Sequence, residues 1–111
     1  MGPDMLWSAR IIEHDDTRTV ALTGEIDLTG ADELHRLLIT ELDDPAVMTV
    51  TADLANVTFL DSAALGALIR AFHHADGIGR HFFARNPTRP VRRVLDMTGI
   101  YDILNPPACT E

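Results

Sequence analysis

The sequence lacks several features that are typical of particular classes of protein, and each absence excludes a class. Its single cysteine, Cys109, rules out a disulfide framework and a zinc site built from cysteines. It has no lysine, so the Gly-Lys-Ser/Thr signature of a phosphate-binding loop is absent. No apolar run approaches the ~20 residues that span a bilayer, and residues 1–4 lack the basic start of a signal peptide. We therefore expect a cytoplasmic protein that does not insert into a membrane.

Positive charge is also scarce. Nine arginines face seventeen aspartates and glutamates, which gives a formal net charge of −8. Such a chain repels phosphate backbones, so nucleic acid is not an expected partner. The 111 residues, 46% of them hydrophobic, suit one globular domain with its own core. We expect a single domain over residues 1–111, with its core at about 8–104 and short tails, as a monomer or weak dimer.

The hydrophobic pattern predicts an α/β fold. Two β-favouring runs about a turn at residues 15–17 predict a hairpin, and later strands alternate with helical patterns. The predicted elements are strands at 8–14 and 19–24, a helix at 29–42 capped by Thr29, a strand at 47–54, a helix from Asp61–Ser62 to about 77, a strand at 81–84 and a helix at 87–99, followed by apolar residues 100–104 and a loose tail from Asn105. This order predicts a mixed sheet of four or five strands packed against three or four helices.

Ser62 stands where the second of these helices begins. One interpretation is that Asp61 and Ser62 simply start the helix, because both residue types favour helix N-termini. The other is a contact site. If the stripe Leu65, Leu68, Ile69 and Phe72 faces inward, the opposite face carries Ala63, Ala67, Arg70 and His74. An exposed alanine strip beside a serine is then expected to be a flat docking surface.

A phosphate on Ser62 would suit such a surface as a switch. Free N–H groups and the helix dipole tolerate an anion at a helix N-terminus, so modification need not unfold the helix. The phosphate would add about −1.5 to −2 charges to the contact surface beside Asp61. Binding would change while the fold persists.

Enzymatic chemistry at Ser62 is not expected. His73 and His74 lie about 16 Å along the same helix and cannot act as its base, at ~1.5 Å per residue. His35 or His81 could approach through the fold, but the Gly-x-Ser-x-Gly elbow of a hydrolase is absent. A small serine hydrolase remains an alternative. We expect a protein that is not an enzyme and has no cofactor.

Other polar groups give weaker signals. The adjacent histidines His73 and His74 point about 100° apart and do not converge on a metal, whose helical ligand pairs lie at i, i+4. Residues 77–79 lack the third glycine of a dinucleotide fingerprint. Arg89, Arg92 and Arg93 form a small basic patch, which is either a solvated face or a contact for an acidic partner. The acids of residues 24–27 project from a strand-to-helix loop, where functional residues are common.

Three segments resemble the anti-anti-sigma factors of the STAS domain family, the antagonists of bacterial anti-sigma factors. They are residues 22–28 (Leu-Thr-Gly-Glu-Ile-Asp-Leu), Asp53-Leu54 leading to residues 59–66 (Phe-Leu-Asp-Ser-Ala-Ala-Leu-Gly), and residues 86–100, from Asn86-Pro87 to Thr98-Gly99-Ile100. Each segment alone is weak evidence for the family, whereas the order and spacing of the three together are specific to it. The resemblance covers about residues 8–104 and implies the STAS fold.

The resemblance implies a partner-switching regulator. In such proteins the serine after the aspartate, here Ser62, is phosphorylated by an anti-sigma factor that is itself a serine kinase. The unmodified form binds that kinase and releases a sigma factor, and a PP2C-type phosphatase resets the cycle. The residues expected to contact the partner are Asp27, Thr29, Asp61, Ser62, Ala63, Ala64, Gly66, Ala67 and Arg70. The alternative is a STAS subunit of a membrane transport or lipid-trafficking complex, in which the serine need not be modified.

The sequence departs from the family at two positions. The family commonly has Asp-Ser-Ser-Gly-Leu-Gly, whereas this chain has Ala63 and Ala64 in place of the second serine and the first glycine. Ser62 is therefore the only local hydroxyl acceptor. Ala64 adds a methyl group near the helix start, which we expect to influence the choice of partner rather than the class of protein.

Overall fold

The computed structural model describes residues 6–105 and confirms the predicted α/β class. It has four strands and four helices within those residues. In chain order they are β1 Trp7–His14, β2 Thr17–Ile26, α1 Leu28–Asp43, β3 Thr49–Leu60, α2 Ser62–Gly77, β4 His81–Arg85, α3 Arg89–Met97 and α4 Ile100–Leu104. The predicted tail beyond Asn105, with Cys109, lies outside the described residues.

The strands form one mixed sheet in the order β1-β2-β3-β4. β1 and β2 form the predicted hairpin, whose turn includes Asp15 in the left-handed region at φ 53°. β2 pairs with β3 and β3 with β4 in parallel, with α1 and α2 as the crossover helices. The carboxyl ends of β2 and β3 therefore lie side by side at one edge of the sheet.

The helices cover one face of the sheet. Alternate residues of the strands point into a shared core with the helices, and their neighbours point to the uncovered face. One row of the core face consists of Val20, Ala52 and Ala84, and the adjacent row of the uncovered face consists of Thr19, Thr51 and Phe83. The helix residues in the core include Leu34, Leu38, Leu42, Leu68, Val91, Leu95 and Leu104.

The strand–helix turn before α1 is braced by the start of β1. The carbonyl oxygen of Leu6 accepts a hydrogen bond from the N–H of Glu25 at 2.8 Å. The indole of Trp7 occupies the space that a Cβ at Gly30 would need, and a Cβ at Gly24 would collide with the Leu6 carbonyl. Gly24 also has φ +102°, which favours glycine. The glycines on either side of this turn, Gly24 in β2 and Gly30 in α1, are thus required by the close approach of β1.

Arginines tie the opposite edge of the sheet to the end of α1. Arg80 donates hydrogen bonds to the carbonyl oxygens of Leu42 and Asp44 at 2.7 and 2.8 Å. Arg18, whose side chain is 9% exposed, lies 3.6 Å from Glu41 and 3.5 Å from Asp44. These contacts satisfy the free carbonyls of a helix end and neutralise a nearly buried cation.

Several predicted boundaries were wrong, and those of α1 and β3 bear on the site. The cap of α1 is Asp27, not Thr29, which lies inside the helix. β3 starts two residues later than predicted and runs six residues further, to Leu60, because register shifts beside Ala21 and Gly24 let it continue pairing with β2. Ser62 therefore follows the strand after a single residue.

Candidate functional site

The caps of α1 and α2 are neighbours at the carboxyl edge of the sheet. β2 ends at Ile26 and β3 at Leu60, which pair directly, and each is followed by an aspartate that caps the next helix. The N–H of Asp61 donates to the carbonyl oxygen of Ile26 at 3.2 Å. Asp27 and Asp61 are 34 positions apart in sequence, but the parallel pairing brings them to one place.

Asp61 joins the first turns of both helices. Its Oδ1 accepts a hydrogen bond from the N–H of Ala64 at 2.9 Å, which is the cap of α2. Its Oδ2 accepts one from the N–H of Leu28 at 2.9 Å, in the first turn of α1. One carboxylate thus satisfies free N–H groups of two helices, and its negative charge is favourable at both N-termini.

Asp27 caps α1 through Thr29. Its Oδ1 accepts hydrogen bonds from the Thr29 hydroxyl at 2.6 Å and from the Thr29 N–H at 3.0 Å. These two bonds, the hydroxyl first, lower the pKa of the Asp27 carboxyl below its ordinary value, against an opposing effect of desolvation. Asp27 is therefore held as a carboxylate next to the Asp61–Leu28 bridge.

Ser62 is exposed in the first turn of α2. Within residues 6–105 its hydroxyl has no protein hydrogen-bond partner, and no histidine contacts it. The Nε2 of His74 instead lies 2.6 Å from Oδ1 of Asp43, at the far end of α2. The hydroxyl is thus accessible to another molecule, and the capping of α2 does not depend on it.

The predicted exposed alanine strip is wrong at Ala67. Both Ala67 and Ala64, which was a further predicted contact residue, are 0% exposed, so their side chains are not accessible to a partner. α2 packs against α1 as well as against the sheet, and its buried side is therefore wider than one helical stripe. The small residues of α2 therefore permit close packing mainly against α1 and the sheet of the same chain. Of the other predicted contact residues on α2, Ala63 and Gly66 are partly exposed and Arg70 is exposed.

Two exposed apolar residues at the carboxyl edge of the sheet were missed by the sequence analysis. Leu28 is 72% exposed in the first turn of α1, and Phe59 is 48% exposed three residues before Ser62. We use the name Ser62 surface for the accessible groups at this edge, namely Asp27, Leu28, Thr29, Phe59, Ser62, Ala63 and Gly66. The sequence does show a leucine, Leu28, directly after the capping aspartate. Its exposure could not be predicted, because it depends on how the strands pair.

The structure offers neither a metal centre nor a membrane span in the part it describes. No group of three or more His, Cys, Asp or Glu residues there is arranged to hold a metal ion. None of the helices between residues 6 and 105 has the length and apolar character required to cross a bilayer. Burial lowers the pKa of His35, and the nearby positive charge of Arg70 acts in the same direction.

The fold and the site define a class of α/β protein whose central parallel strand runs into a helix headed by an exposed serine. The STAS domain profile matches residues 8–110, so the chain belongs to the STAS domain family. The family predicted from the sequence is thereby confirmed.

Three known proteins are similar to the chain in sequence or in fold. The chain is 27% identical to an anti-sigma-B factor antagonist of Staphylococcus epidermidis, over 90% of this chain and 92% of the relative. Its fold matches the Bacillus protein SpoIIAA, an anti-sigma factor antagonist, with a TM-score of 0.74 and 20% identity, over 85% of this chain and 83% of the other. It also matches the murine anion transporter Slc26a9 with a TM-score of 0.69 and 18% identity, over 82% of this chain and 15% of the transporter.

Proposed function

We propose that the chain is an anti-sigma factor antagonist. Its unmodified form binds an anti-sigma factor that is a serine kinase and so releases a sigma factor, and phosphorylation of Ser62 ends the binding. The carrying observation is the exposed hydroxyl of Ser62 in the first turn of α2, which has no hydrogen-bond partner among the described residues. The antagonists among its relatives support this assignment, and SpoIIAA has been solved in unphosphorylated and phosphorylated forms.

The capping geometry supports a switch that leaves the fold intact. Asp61, not Ser62, supplies the side-chain oxygens that bond to α1 and α2. A phosphate on Ser62 adds about −1.5 to −2 charges and bulk at a helix N-terminus, which tolerates an anion. The change falls on the Ser62 surface beside the Asp27 and Asp61 carboxylates. A partner that fits the unmodified surface meets both steric and electrostatic repulsion after modification.

The exposed apolar groups supply the attractive part of the contact. Leu28 and Phe59 lie at the same edge as Ser62, and large apolar side chains in the centre of an interface commonly provide much of its binding free energy. In the unmodified protein we expect them to be buried by the partner. A PP2C-type phosphatase that removes the phosphate would restore this surface.

Phosphorylation in an extract of the source bacterium tests the proposal. The purified chain is incubated with ATP and the extract, and its intact mass is measured. We expect the mass of one phosphate on the wild type and none on Ser62→Ala. The chain has only one other serine, exposed Ser8 on β1, so Ser8→Ala is a matched control that should be modified like the wild type. Equal modification of Ser62→Ala and the wild type would contradict the proposal.

Binding to the kinase tests the switch itself. The kinase active on Ser62 is purified, and its affinity for unmodified and phosphorylated chain is compared. We expect tight binding only to the unmodified chain and displacement of a sigma factor from the kinase. Equal affinity for both forms would contradict the switch. Purification from the source cell together with a transporter subunit, without modification of Ser62, would instead favour the role suggested by the fold of the anion transporter domain.

A further inference from the structure

Positive charge is concentrated in one segment of this acidic chain. Residues 77–95 contain five of the nine arginines and no aspartate or glutamate. The rest of the chain contains the other four arginines and all seventeen acidic residues. The segment comprises β4 and most of α3. The molecule therefore carries a strong internal separation of charge, which orients an approaching charged partner.

Three of these five arginines are already engaged inside the chain. Arg80 bonds to the carbonyls at the end of α1. Arg85 lies over the ring of Phe83, 5.0 Å from its centroid. Arg92 donates to both carboxylate oxygens of Asp96 at 3.0 Å and also lies over the ring of Tyr101. This leaves the other two arginines of α3.

Arg89 and Arg93 are exposed and have no ion pair within residues 6–105. They are four positions apart on α3, so they project from the same side and repel each other. Arg89 also lies in the first turn, which holds no acidic residue, and the helix dipole disfavours a cation there. Sequence choices that oppose local stability are common at functional positions. An anion from outside the chain would relieve both unfavourable effects.

Met97 extends the same side of α3 by one further turn. It follows Arg93 by four positions and is 79% exposed, the most exposed of the large apolar side chains in the described residues. We use the name α3 strip for Arg89, Pro90, Arg93 and Met97. Arginine and methionine are both enriched in protein interfaces compared with the rest of the surface. The strip thus offers two unpaired cations followed by an apolar contact.

The α3 strip starts at the same edge of the sheet as the Ser62 surface. Thr88, the cap residue of α3, donates its hydroxyl hydrogen bond to the carbonyl oxygen of Val57 in β3 at 2.6 Å. Val57 lies five residues before Ser62 on the strand that leads to it. The start of α3 is therefore fixed beside β3, and a partner seated on the Ser62 surface can reach the strip.

We propose that the α3 strip is a second contact for the anti-sigma factor and binds an acidic segment of it that carries an apolar residue. This rests on the proposed function for the identity of the partner. The carboxylates of Asp27 and Asp61 at the Ser62 surface and the two cations of the strip together favour one orientation of a partner with complementary charges, because a reversed partner would bring like charges together. A protein segment fits better than nucleic acid, since the rest of the chain repels a polyanion and Met97 has no counterpart in a phosphate backbone.

Charge reversal tests the proposal. Binding of the purified anti-sigma factor kinase is measured at several salt concentrations for the wild type, for Arg89→Glu/Arg93→Glu, and for Arg10→Glu/Arg36→Glu. The last variant is a matched control, because Arg10 and Arg36 are exposed on β1 and α1 and have no ion pair among the described residues. We expect Arg89→Glu/Arg93→Glu to weaken binding about tenfold or more at low salt, with a reduced salt dependence, and the control about twofold or less.

The variants also separate this proposal from the proposed function. Arg89→Glu/Arg93→Glu should fold about as stably as the wild type, because both side chains are exposed and an acid at position 89 is favoured in the first turn of α3. Met97→Ala is a second variant without a charge change, and it should also weaken binding. If Ser62→Asp loses binding while both strip variants keep wild-type affinity, the strip proposal is overturned and the proposed function stands. If the wild type binds no anti-sigma factor, both fail. Binding of a DNA duplex or of anionic vesicles through Arg89 and Arg93, with unchanged kinase binding, would also overturn it.

Discussion

The carboxylate of Asp61 accepts a hydrogen bond from the backbone N–H of Leu28, 33 residues earlier in the chain. The same carboxylate caps α2 through Ala64. The residue that precedes Ser62 therefore also fixes the start of the neighbouring helix. This coupling makes Asp61 a structural residue of the site, and it has measurable consequences.

Asp61→Ala should destabilise the protein and loosen α1. Loss of the α2 cap and of the bond to Leu28 should lower the free energy of unfolding by about 2 kcal/mol, measured by urea denaturation. The amide hydrogen of Leu28 should exchange faster with solvent. Asp96→Ala is the control, because its ion pair with Arg92 is exposed and should contribute less than about 1 kcal/mol. Equal losses in the two variants would contradict the bridging role.

Ser62→Asp should separate binding from folding. An acid in the first turn of α2 is tolerated by the helix dipole, so the melting temperature should stay within about 4 °C of the wild type. Affinity for the anti-sigma factor should fall sharply. Ser8→Asp adds the same charge to an exposed position on β1 and should bind like the wild type. A large drop in melting temperature would show that the Ser62 hydroxyl has a structural role.

The effect of Gly30→Ala on stability should change sign when the indole of Trp7 is removed. In the wild type a Cβ at Gly30 collides with the indole of Trp7, so the substitution should cost about 1 to 3 kcal/mol. In a Trp7→Ala background the collision is absent, and the better helix propensity of alanine should stabilise the protein by up to about 1 kcal/mol. Gly66→Ala is the control, since a Cβ there meets nothing within 4 Å and should stabilise in both backgrounds. Denaturation of the four variants of the Trp7/Gly30 cycle measures this, and equal effects in both backgrounds would refute the brace.

Lowering the pH should remove the contribution of the Asp27 carboxylate to the stability of the fold. Its pKa is lowered in the folded chain from its ordinary value of 3.8, so the folded state favours the carboxylate. The stabilisation is complete above the unfolded pKa and is lost as the pH falls through the lowered folded pKa. Relative to Asp27→Asn, which does not titrate, the wild type should lose stability as the pH is reduced from about 5 towards 2. Urea denaturation at a series of pH values measures the difference, and a difference independent of pH would contradict the prediction.

The sequence predicted the elements well because their signals are local. Alternating β-branched residues, the proline at the start of α3 and the aspartate–serine pair before α2 each act within a few residues. The cap of α1 was missed because Thr29 and Asp27 are both suitable capping residues, and the choice depends on where β2 ends. The hydrogen bonds show that Thr29 donates to Asp27 and does not itself cap the helix.

Features that depend on pairing of distant segments were not predictable in the same way. The bond between Asp61 and Leu28 requires the register of β2 and β3, and the exposure of Leu28 follows from it. The burial of Ala64 and Ala67 requires α1 to lie beside α2, whereas helical periodicity alone places Ala67 on the outer face. Local pattern therefore predicted the position of Ser62 but not the shape of the surface around it.

The spatial order of the four strands is also their order along the chain, and this bears on how the molecule is assembled during synthesis. Each new strand leaving the ribosome can join the free margin of the strands already in place, and none has to be threaded between two partners. Ser62 follows the third strand after a single residue, so the strands and the first helix that flank the start of α2 are synthesised before the final strand.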